Sequence, residues 1–443
     1  MNISGLENAG ILQKVKLNKQ ANSHSSCEIE MIFTDDSIKE IKKYIGSEIV
    51  IENDERKLMR GEIHSATLKK TFSVSTIVFF ADSFSTRADQ VFGNRIFQDT
   101  KKKYSDVVSC LEDDNLSFNI LDRSFADEQT DLAVIQHNET DFEFAKRLAL
   151  SRGLYLFIDD TSQKCSINIC KCFSSKKKTI SDDQIVLLEY EINQYEERFM
   201  VTSREYFEFG SEVTLNGYDY LVIGFSLLFE NGAEIYKYVL SRIIGNENLV
   251  KENDSFILGK GKIVSNDDPE HLGRIQVAFL EYEDSLADNK LWIPYIDNLT
   301  EKDCGMMFIP DVDEIVNVYY CNYVCYASGC VREKSYNSQM NDVTVRSIFT
   351  RNVKIDISDE CVGIDAFDYR IQIDNSNAAV KKDKVELAID SNKILLKNDK
   401  SSVLAESSTI KALSDKKIQL KANEVDVDGC SKVTIKTSAL DIG

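Results

Sequence analysis

Ile394-Leu395-Leu396, Val403-Leu404-Ala405, Ile410-Lys411-Ala412, Ile418-Gln419-Leu420, Val425-Asp426-Val427, Val433-Thr434-Ile435 and Leu440-Asp441-Ile442 follow one another at steps of seven to nine residues. Alternate residues of a strand face the same side, so each unit sets two apolar residues on one face of a short strand. The gaps carry turn-formers or charge: Asn398-Asp399-Lys400, Glu406-Ser407-Ser408, Ser414-Asp415-Lys416, Asp428-Gly429 and Thr437-Ser438. A strand and corner repeated at so short a step predicts a β-helix or solenoid, each rung burying its inward face on its neighbours. A meander or sandwich edge with chance spacing is the competing reading. Two or three inward residues per rung are too few for one chain, which needs a coil of about twenty residues to enclose its own core. The expectation is three chains wound together, with Ile394, Leu396, Ile410, Ile418, Leu420, Val425, Val427, Val433 and Ile435 as the shared core.

The whole chain, at 443 residues and 43% hydrophobic, has room for two to four domains with real cores. Its net charge of −20, from 53 basic and 73 acidic residues, argues against binding to nucleic acid or an anionic membrane. From Lys381 onward there are 12 lysines and 10 acidic residues, whereas the preceding part carries 41 basic and 63 acidic residues. The repeat segment is thus near balance, which lets three chains pack without mutual repulsion. Met1 to Lys14 has no apolar core of the kind a secretion signal needs, and no window reaches membrane-spanning length. The chain is expected to be made and kept in the bacterial cytoplasm until a machine moves it, with no stable membrane anchoring. The cysteines lie within strands, as in Cys170-Lys171-Cys172, or in apolar runs (Cys321, Cys325, Cys330), and read as reduced core thiols rather than metal ligands.

Residues 1–250 read as strands with three helices, over Asp36–Tyr44, Thr100–Leu111 and the segment after Thr140. The third has a capping box, Thr140 with Glu143, an apolar stripe through Phe144/Leu148 and Ala145/Ala149, and Gly153 as its stop. Residues 251–336 hold all three prolines and the only tryptophan, and their five alternating strands fit an OB-fold. Residues 337–443 form a β-rich neck, over Val343–Ile357 and Tyr369–Ile373, and then the repeat. The expected fold class is mainly β: an α+β hub of two β-barrel-like subdomains, an OB-fold, and an intertwined triple-stranded β-helix.

Several of these stretches resemble one family. Gln136-His137-Asn138-Glu139-Thr140-Asp141-Phe142-Glu143-Phe144-Ala145-Lys146-Arg147-Leu148-Ala149, followed by Gly153-Leu154-Tyr155, is similar to a signature of VgrG proteins and contractile-phage spike hubs. Arg60-Gly61-Glu62-Ile63 and Arg95-Ile96-Phe97-Gln98-Asp99-Thr100 resemble earlier elements of those proteins. Asp267-Asp268-Pro269-Glu270-His271-Leu272-Gly273-Arg274-Ile275, Trp292-Ile293-Pro294 and Gly305 to Val318 resemble their OB domain. The resemblance implies a homotrimeric spike of a contractile injection machine: a phage-like tail, a tailocin, an extracellular injection system or type VI secretion. It implies partners in the tail tube and baseplate, and a conical PAAR-type tip protein seated on Leu440, Ile442 and Gly443. It departs from the family in having almost no Val-Gly dipeptides in the repeat, in having no lysozyme-like insert, and in the expectation that no effector domain follows Gly443.

The sequence offers little chemistry. It has no G-x-S-x-G, H-E-x-x-H, Walker A or G-x-G-x-x-G motif, and its four histidines are dispersed. The acidic pairs (Asp35-Asp36, Asp113-Asp114, Asp159-Asp160, Asp182-Asp183, Asp267-Asp268) fall at expected turns or helix ends, where solvation accounts for them. No catalytic residue, cofactor or metal is expected, and the OB-fold lacks the interleaved basic and aromatic residues of a nucleic-acid binder. The competing function is a trimeric β-solenoid fibre binding host glycans, which exposed aromatic rows would favour. No aromatic residue follows Tyr369.

Overall fold

The computed structural model describes the chain except residues 34–37, 54–55, 72–73, 244–254, 287–288, 297–307, 322–323, 331–345, 351, 428, 430 and 441–443. It divides into two compact units, Met1–Val331 and Arg332–Gly443.

The first unit opens with β1 (Asn2–Ser4), β2 (Gly10–Gln20) and β3 (Ser26–Phe33), then the short helix α1 (Ile38–Lys42), β4 (Glu48–Asn53), β5 (Arg56–Lys70) and β6 (Ser75–Ser83). Strict alternation makes these strands: Cys27, Ile29, Met31 and Phe33 of β3 point inward with Ile77, Phe79 and Ala81 of β6. An α/β insert follows: β7 (Phe92–Phe97), α2 (Tyr104–Ser109), β8 (Leu116–Ile120), α3 (Arg123–Ala126), β9 (Val134–Thr140), α4 (Asp141–Ser151), β10 (Tyr155–Asp159) and β11 (Cys165–Cys170). The helix expected after Thr140 is α4. Thr140 Oγ1 accepts from the Glu143 amide at 3.1 Å, and Glu143 Oε2 accepts from the Thr140 amide at 3.0 Å. The helices expected over Asp36–Tyr44 and Thr100–Leu111 are shorter, because only Ile38–Lys42 and Tyr104–Ser109 close helical turns, and Asp36 lies outside the described residues.

Six more strands complete this part: β12 (Ser174–Thr179), β13 (Ile185–Ile192), β14 (Glu196–Ser203), β15 (Ser211–Leu215), β16 (Tyr218–Glu230) and β17 (Ala233–Ile243). Five of them, β13 to β17, repeat β2 to β6; β12 pairs parallel with β15, whereas β1 pairs antiparallel with β4. The ladder β4-β5-β6-β3-β2 has the same chain order and the same neighbours as β15-β16-β17-β14-β13. The register breaks coincide as well. β5 and β6 slip between Ile63 and Ser65, and β16 and β17 slip between Val222 and Gly224. β2 and β3 slip between Leu12 and Lys14, and β13 and β14 between Ile185 and Leu187. Superposing these breaks sets Ser65 on Gly224, Val15 on Leu188 and Leu17 on Tyr190. A β-bulge is a specified feature of a strand rather than noise, so two matching bulges mark a true structural repeat. The two copies are joined within the chain by antiparallel pairing of β2 with β16, from Gln20↔Gly224 to Lys14↔Glu230.

The OB region contributes β18 (Ser255–Ser265), β19 (Gln276–Phe279), β20 (Glu283–Ser285), β21 (Ile315–Cys321) and β22 (Val324–Cys330). Four of these form the sheet β19-β18-β21-β22, while β20 leaves it to pair with β7. The core here is shared with the insert: Ile96, Ala133 and Ile135 pack in one cluster with Leu258, Ile263, Ile275, Val277, Ile293 and Val318.

The second unit is one sheet of nine strands: β23 (Arg346–Phe349), β24 (Val353–Ile357), β25 (Cys361–Ala366), β26 (Tyr369–Asp374), β27 (Asn377–Lys382), β28 (Val385–Asp390), β29 (Lys393–Asn398), β30 (Ser401–Glu406) and β31 (Thr409–Ser414). Each pairs antiparallel with the next. Within the chain the expected rung and corner are therefore a strand and a two-residue hairpin, and the expected neck is the beginning of the same sheet. The turns alternate in kind. On one side, the first turn residue is left-handed (Phe367 φ 55°, Asp383 φ 47°, Asp399 φ 43°). On the other, the last strand residue closes the turn: Asp374 accepts from the Ser376 and Asn377 amides, and Asp390 from those of Asn392 and Lys393.

Candidate assembly surfaces

Directly paired residues of a sheet share a face, so the registers of β23 to β31 define rows. One row runs Ile348, Ile355, Ile364, Ile371, Val380, Leu387, Leu396, Val403, Ala412. Beside it on the same face runs Ile357, Val362, Ile373, Ala378, Ile389, Ile394, Ala405, Ile410. Two unbroken aliphatic rows thus lie on one face, and in the single chain much of that face meets solvent: Leu396 is 51% exposed, Ile394 49% and Ile410 79%. A groove of about 420 Å³ along it is lined by Leu387, Leu396, Val403, Ala412 and Ile418 among others. The opposite face carries a charged row, Lys354, Asp365, Arg370, Lys381, Glu386, Lys397, in which Lys381 and Glu386 form an ion pair at 3.0 Å.

Of the residues expected in a shared core, Ile394, Leu396 and Ile410 therefore share one face. The structure does not place Ile418, Leu420, Val425, Val427, Val433 and Ile435 in strands; all six are exposed, as is Leu440. The cause is register. Another hairpin of the same kind would set Gln419 opposite Ala412 and Lys421 opposite Ile410, putting polar groups into both rows. Ile418 and Leu420 would fall on the charged face, because a one-residue offset turns every side chain over. Ile442 and Gly443, the remainder of the expected tip site, lie outside the described residues.

The segments that carried the family resemblance lock to one another. Arg95 donates to Gln136 Oε1 at 2.8 Å and to Asp141 Oδ1 at 2.5 Å, while Gln136 donates to the same Asp141 oxygen at 2.9 Å. Arg147 donates to both oxygens of Glu139, at 2.7 and 2.9 Å, and to the Ile135 carbonyl. Phe97 stacks on Phe144. In the OB region the Arg274 guanidinium grips Asp268 through two bonds of 2.8 and 3.0 Å, and the Glu270, Leu272 and Arg274 amides donate to the same carboxylate. Arg274 first, then these amides, hold the Asp268 carboxyl well below the usual carboxylate range. Solvation thus does not account for two of the acidic pairs: Asp268 is buried in this cradle, and Asp160 is buried against Lys19.

One spatial array was not legible in sequence. His24 Nδ1 lies 2.8 Å from Ser85 Oγ and its Nε2 lies 2.7 Å from Asp89 Oδ2, the connectivity of a hydrolytic triad. Ser85 is fully buried, its hydroxyl is also bonded to Ser83, and the His24 ring packs on Phe142. No substrate reaches that hydroxyl, so the array pins the short helical turn at Phe84–Asp89 to the start of α4, where Thr140 donates to Asp89. The cysteines Cys27, Cys165, Cys170 and Cys325 are buried, and burial pushes each thiol up to about 12. Among the described residues no cluster could hold a metal ion, and no helix is long and apolar enough to cross a membrane.

Residues 259–323 match the family model of the type VI secretion system and phage-baseplate injector OB domain. The resemblance to the VgrG and spike-hub family holds. In fold the chain is similar to an E. coli protein described as a type VI secretion component with structural similarity to the T4 tail proteins gp27 and gp5. That likeness has a TM-score of 0.55 at 12% identity and covers 75% of this chain and 99% of that one. A chain of the Francisella PdpA–VgrG complex is similar at a TM-score of 0.54 and 10% identity, covering 88% of this chain and 84% of that one. No curated protein matches the sequence. The residues that match the injector OB domain thus follow two repeated ladders in the chain and precede a sheet whose aliphatic face is in large part exposed in the single chain.

Proposed function

We propose that the protein is the homotrimeric spike hub of a contractile injection machine, capping the tail tube and entering the target envelope when the sheath contracts. The observation that carries this reading is the pair of aliphatic rows on β23 to β31. An exposed aliphatic face along nine strands is a liability for a lone chain, and three copies turning it inward give each a core. The role is mechanical: the OB region gathers the chains, and the segment from β23 onward narrows the force to a tip. Residues Ile418 to Ile435 join the shared core once partner chains supply strands in the register they need. A PAAR-type tip protein then sits on Leu440, Ile442 and Gly443, with tube and baseplate proteins on the first unit. The chain assembles in the cytoplasm and leaves with the particle. Particles prepared from producing cells should carry the chain at the tube end by immunogold microscopy. A chain left wholly in the unassembled fraction would refute the role. Deleting Leu440–Gly443 should abolish capture of the tip protein and leave the trimer intact, and undiminished capture would place the tip site elsewhere.

A further inference from the structure

Lys19 occupies an apolar position of β2. Val15, Leu17 and Lys19 alternate along one face of that strand, and all three are buried. Phe225 of β16 lies opposite Lys19 in register and is buried as well. Asp160, the residue after β10, is buried against Lys19, whose ammonium donates to its Oδ1. Its other oxygen, Oδ2, is buried with no hydrogen-bond partner. The Asp160 backbone is itself held, because its carbonyl accepts from the Arg60 amide of β5 at 2.7 Å. Asp159 does not compete for the lysine, since its two oxygens accept from Thr161 and Ser162. The thiols nearby carry no charge: burial, then Asp160, keeps Cys165 protonated, and burial, then Asp82 and Asp160, does the same to Cys27.

An ion pair in such a place is costly, since both charges have left water and one carboxylate oxygen has nothing to bond. Low polarity favours the uncharged pair, amine and carboxylic acid, reached by moving one proton from Nζ to Oδ2. The neutral amine is then a nucleophile held against the carboxyl carbon, one bond beyond the oxygen it already touches. We infer that Lys19 and Asp160 condense into a side-chain amide that ties β2 to the end of β10. The Nζ lone pair forms a bond to Cγ, a second Nζ proton passes to the Oδ2 hydroxyl, and the Cγ–Oδ2 bond breaks. Two of the three ammonium protons and one carboxylate oxygen thus leave as water, and the step needs no oxidant or co-reactant. The amide removes two buried charges and the unpartnered oxygen together. It also closes a covalent loop between positions 141 residues apart, fastening the α/β insert to the first ladder.

The test is mass spectrometry of the full-length chain, purified folded, then denatured, reduced and digested with trypsin. The intact mass should fall one water short of the sequence. The tryptic peptides 17–39 and 153–164 should be recovered as one joined species, with fragment ions placing the bond between Lys19 and Asp160. Asp160→Asn should yield the same joined peptide, with ammonia expelled in place of water. Lys19→Arg keeps a cation that cannot give up its proton, and should show the full mass of its own sequence. Separate peptides from a wild-type chain of full mass would show an ion pair only and refute the amide. A missing water with the two peptides still separate would place the loss in an aspartyl imide, and would refute it equally.

Discussion

Replacing Leu396 with Asp isolates the role of the aliphatic rows. In one chain Leu396 is half-exposed at the middle of the row Leu387–Leu396–Val403, so the folded single chain loses little when it becomes polar. In the assembly the remaining half of the side chain is covered. Full burial of a leucine contributes roughly 1.5–3 kcal/mol, so half contributes about 1 kcal/mol per copy, or about 3 kcal/mol over three copies. The larger effect is the new charge, since an unpaired buried carboxylate costs several kcal/mol and three would be brought together. The combined penalty, on the order of 10 kcal/mol per trimer, exceeds what micromolar protein tolerates. Leu396→Asp should therefore sediment as a monomer with an unchanged far-ultraviolet spectrum. Leu396→Met, which keeps the volume, should remain trimeric. A normal trimer from Leu396→Asp would place this face outside the interface, and a variant that unfolds would show that the face is already needed by the lone chain.

Ile418→Asp or Ile435→Asp should also prevent assembly, because each adds a ring of three carboxylates, and gel filtration of either variant at the wild-type position would remove those residues from the core. Thr140→Ala removes one arm of the capping box of α4 and should cost about 1 kcal/mol in denaturant unfolding, with an unchanged midpoint counting against the cap as a stabilising contact. Asp268 has a folded-state pKa below its unfolded one. Its contribution is thus complete above about pH 4 and fades as the pH falls through the folded value. Asp268→Asn should flatten the acid limb of the stability curve in that window, and an unaltered limb would show that the Arg274 clasp contributes nothing. Cys27, Cys165, Cys170 and Cys325, held protonated by burial, should resist iodoacetamide at pH 8 until the chain is unfolded; rapid labelling of the native protein would contradict their burial.

The signals legible in sequence were those written locally. The capping pair Thr140/Glu143 and the apolar pairs from Ile394/Leu396 to Ile410/Ala412 each involve residues close along the chain, and they stand in the structure as a cap and as rows; the Asp268 cradle was not read, because the pair Asp267-Asp268 was expected to be solvated. The hairpin connection of that repeat was less legible, because an eight-residue step suits a wound rung as well as a six-residue strand with a two-residue turn. The change after Ser414 was visible only as spacing, and the row registers are needed to see that Gln419 and Lys421 would interrupt the apolar face. The duplication of β2–β6 in β13–β17 left almost no trace in residue identity: Lys16 matches Glu189, and Ser65 matches Gly224. What the two copies share is strand order and the position of two bulges, which are set by pairing rather than by composition. The His24–Ser85–Asp89 array was hidden for the same reason, since residues 24 and 85 meet only through the pairing of β3 with β6.

Light scattering of the intact, unmodified chain tests the central claim most directly. Each chain weighs 50.3 kDa, so a mass near three times that value across a tenfold dilution series is the expected result. A stable mass of one chain over the same series would contradict it, because the aliphatic face of β23 to β31 would then remain exposed in the functional molecule.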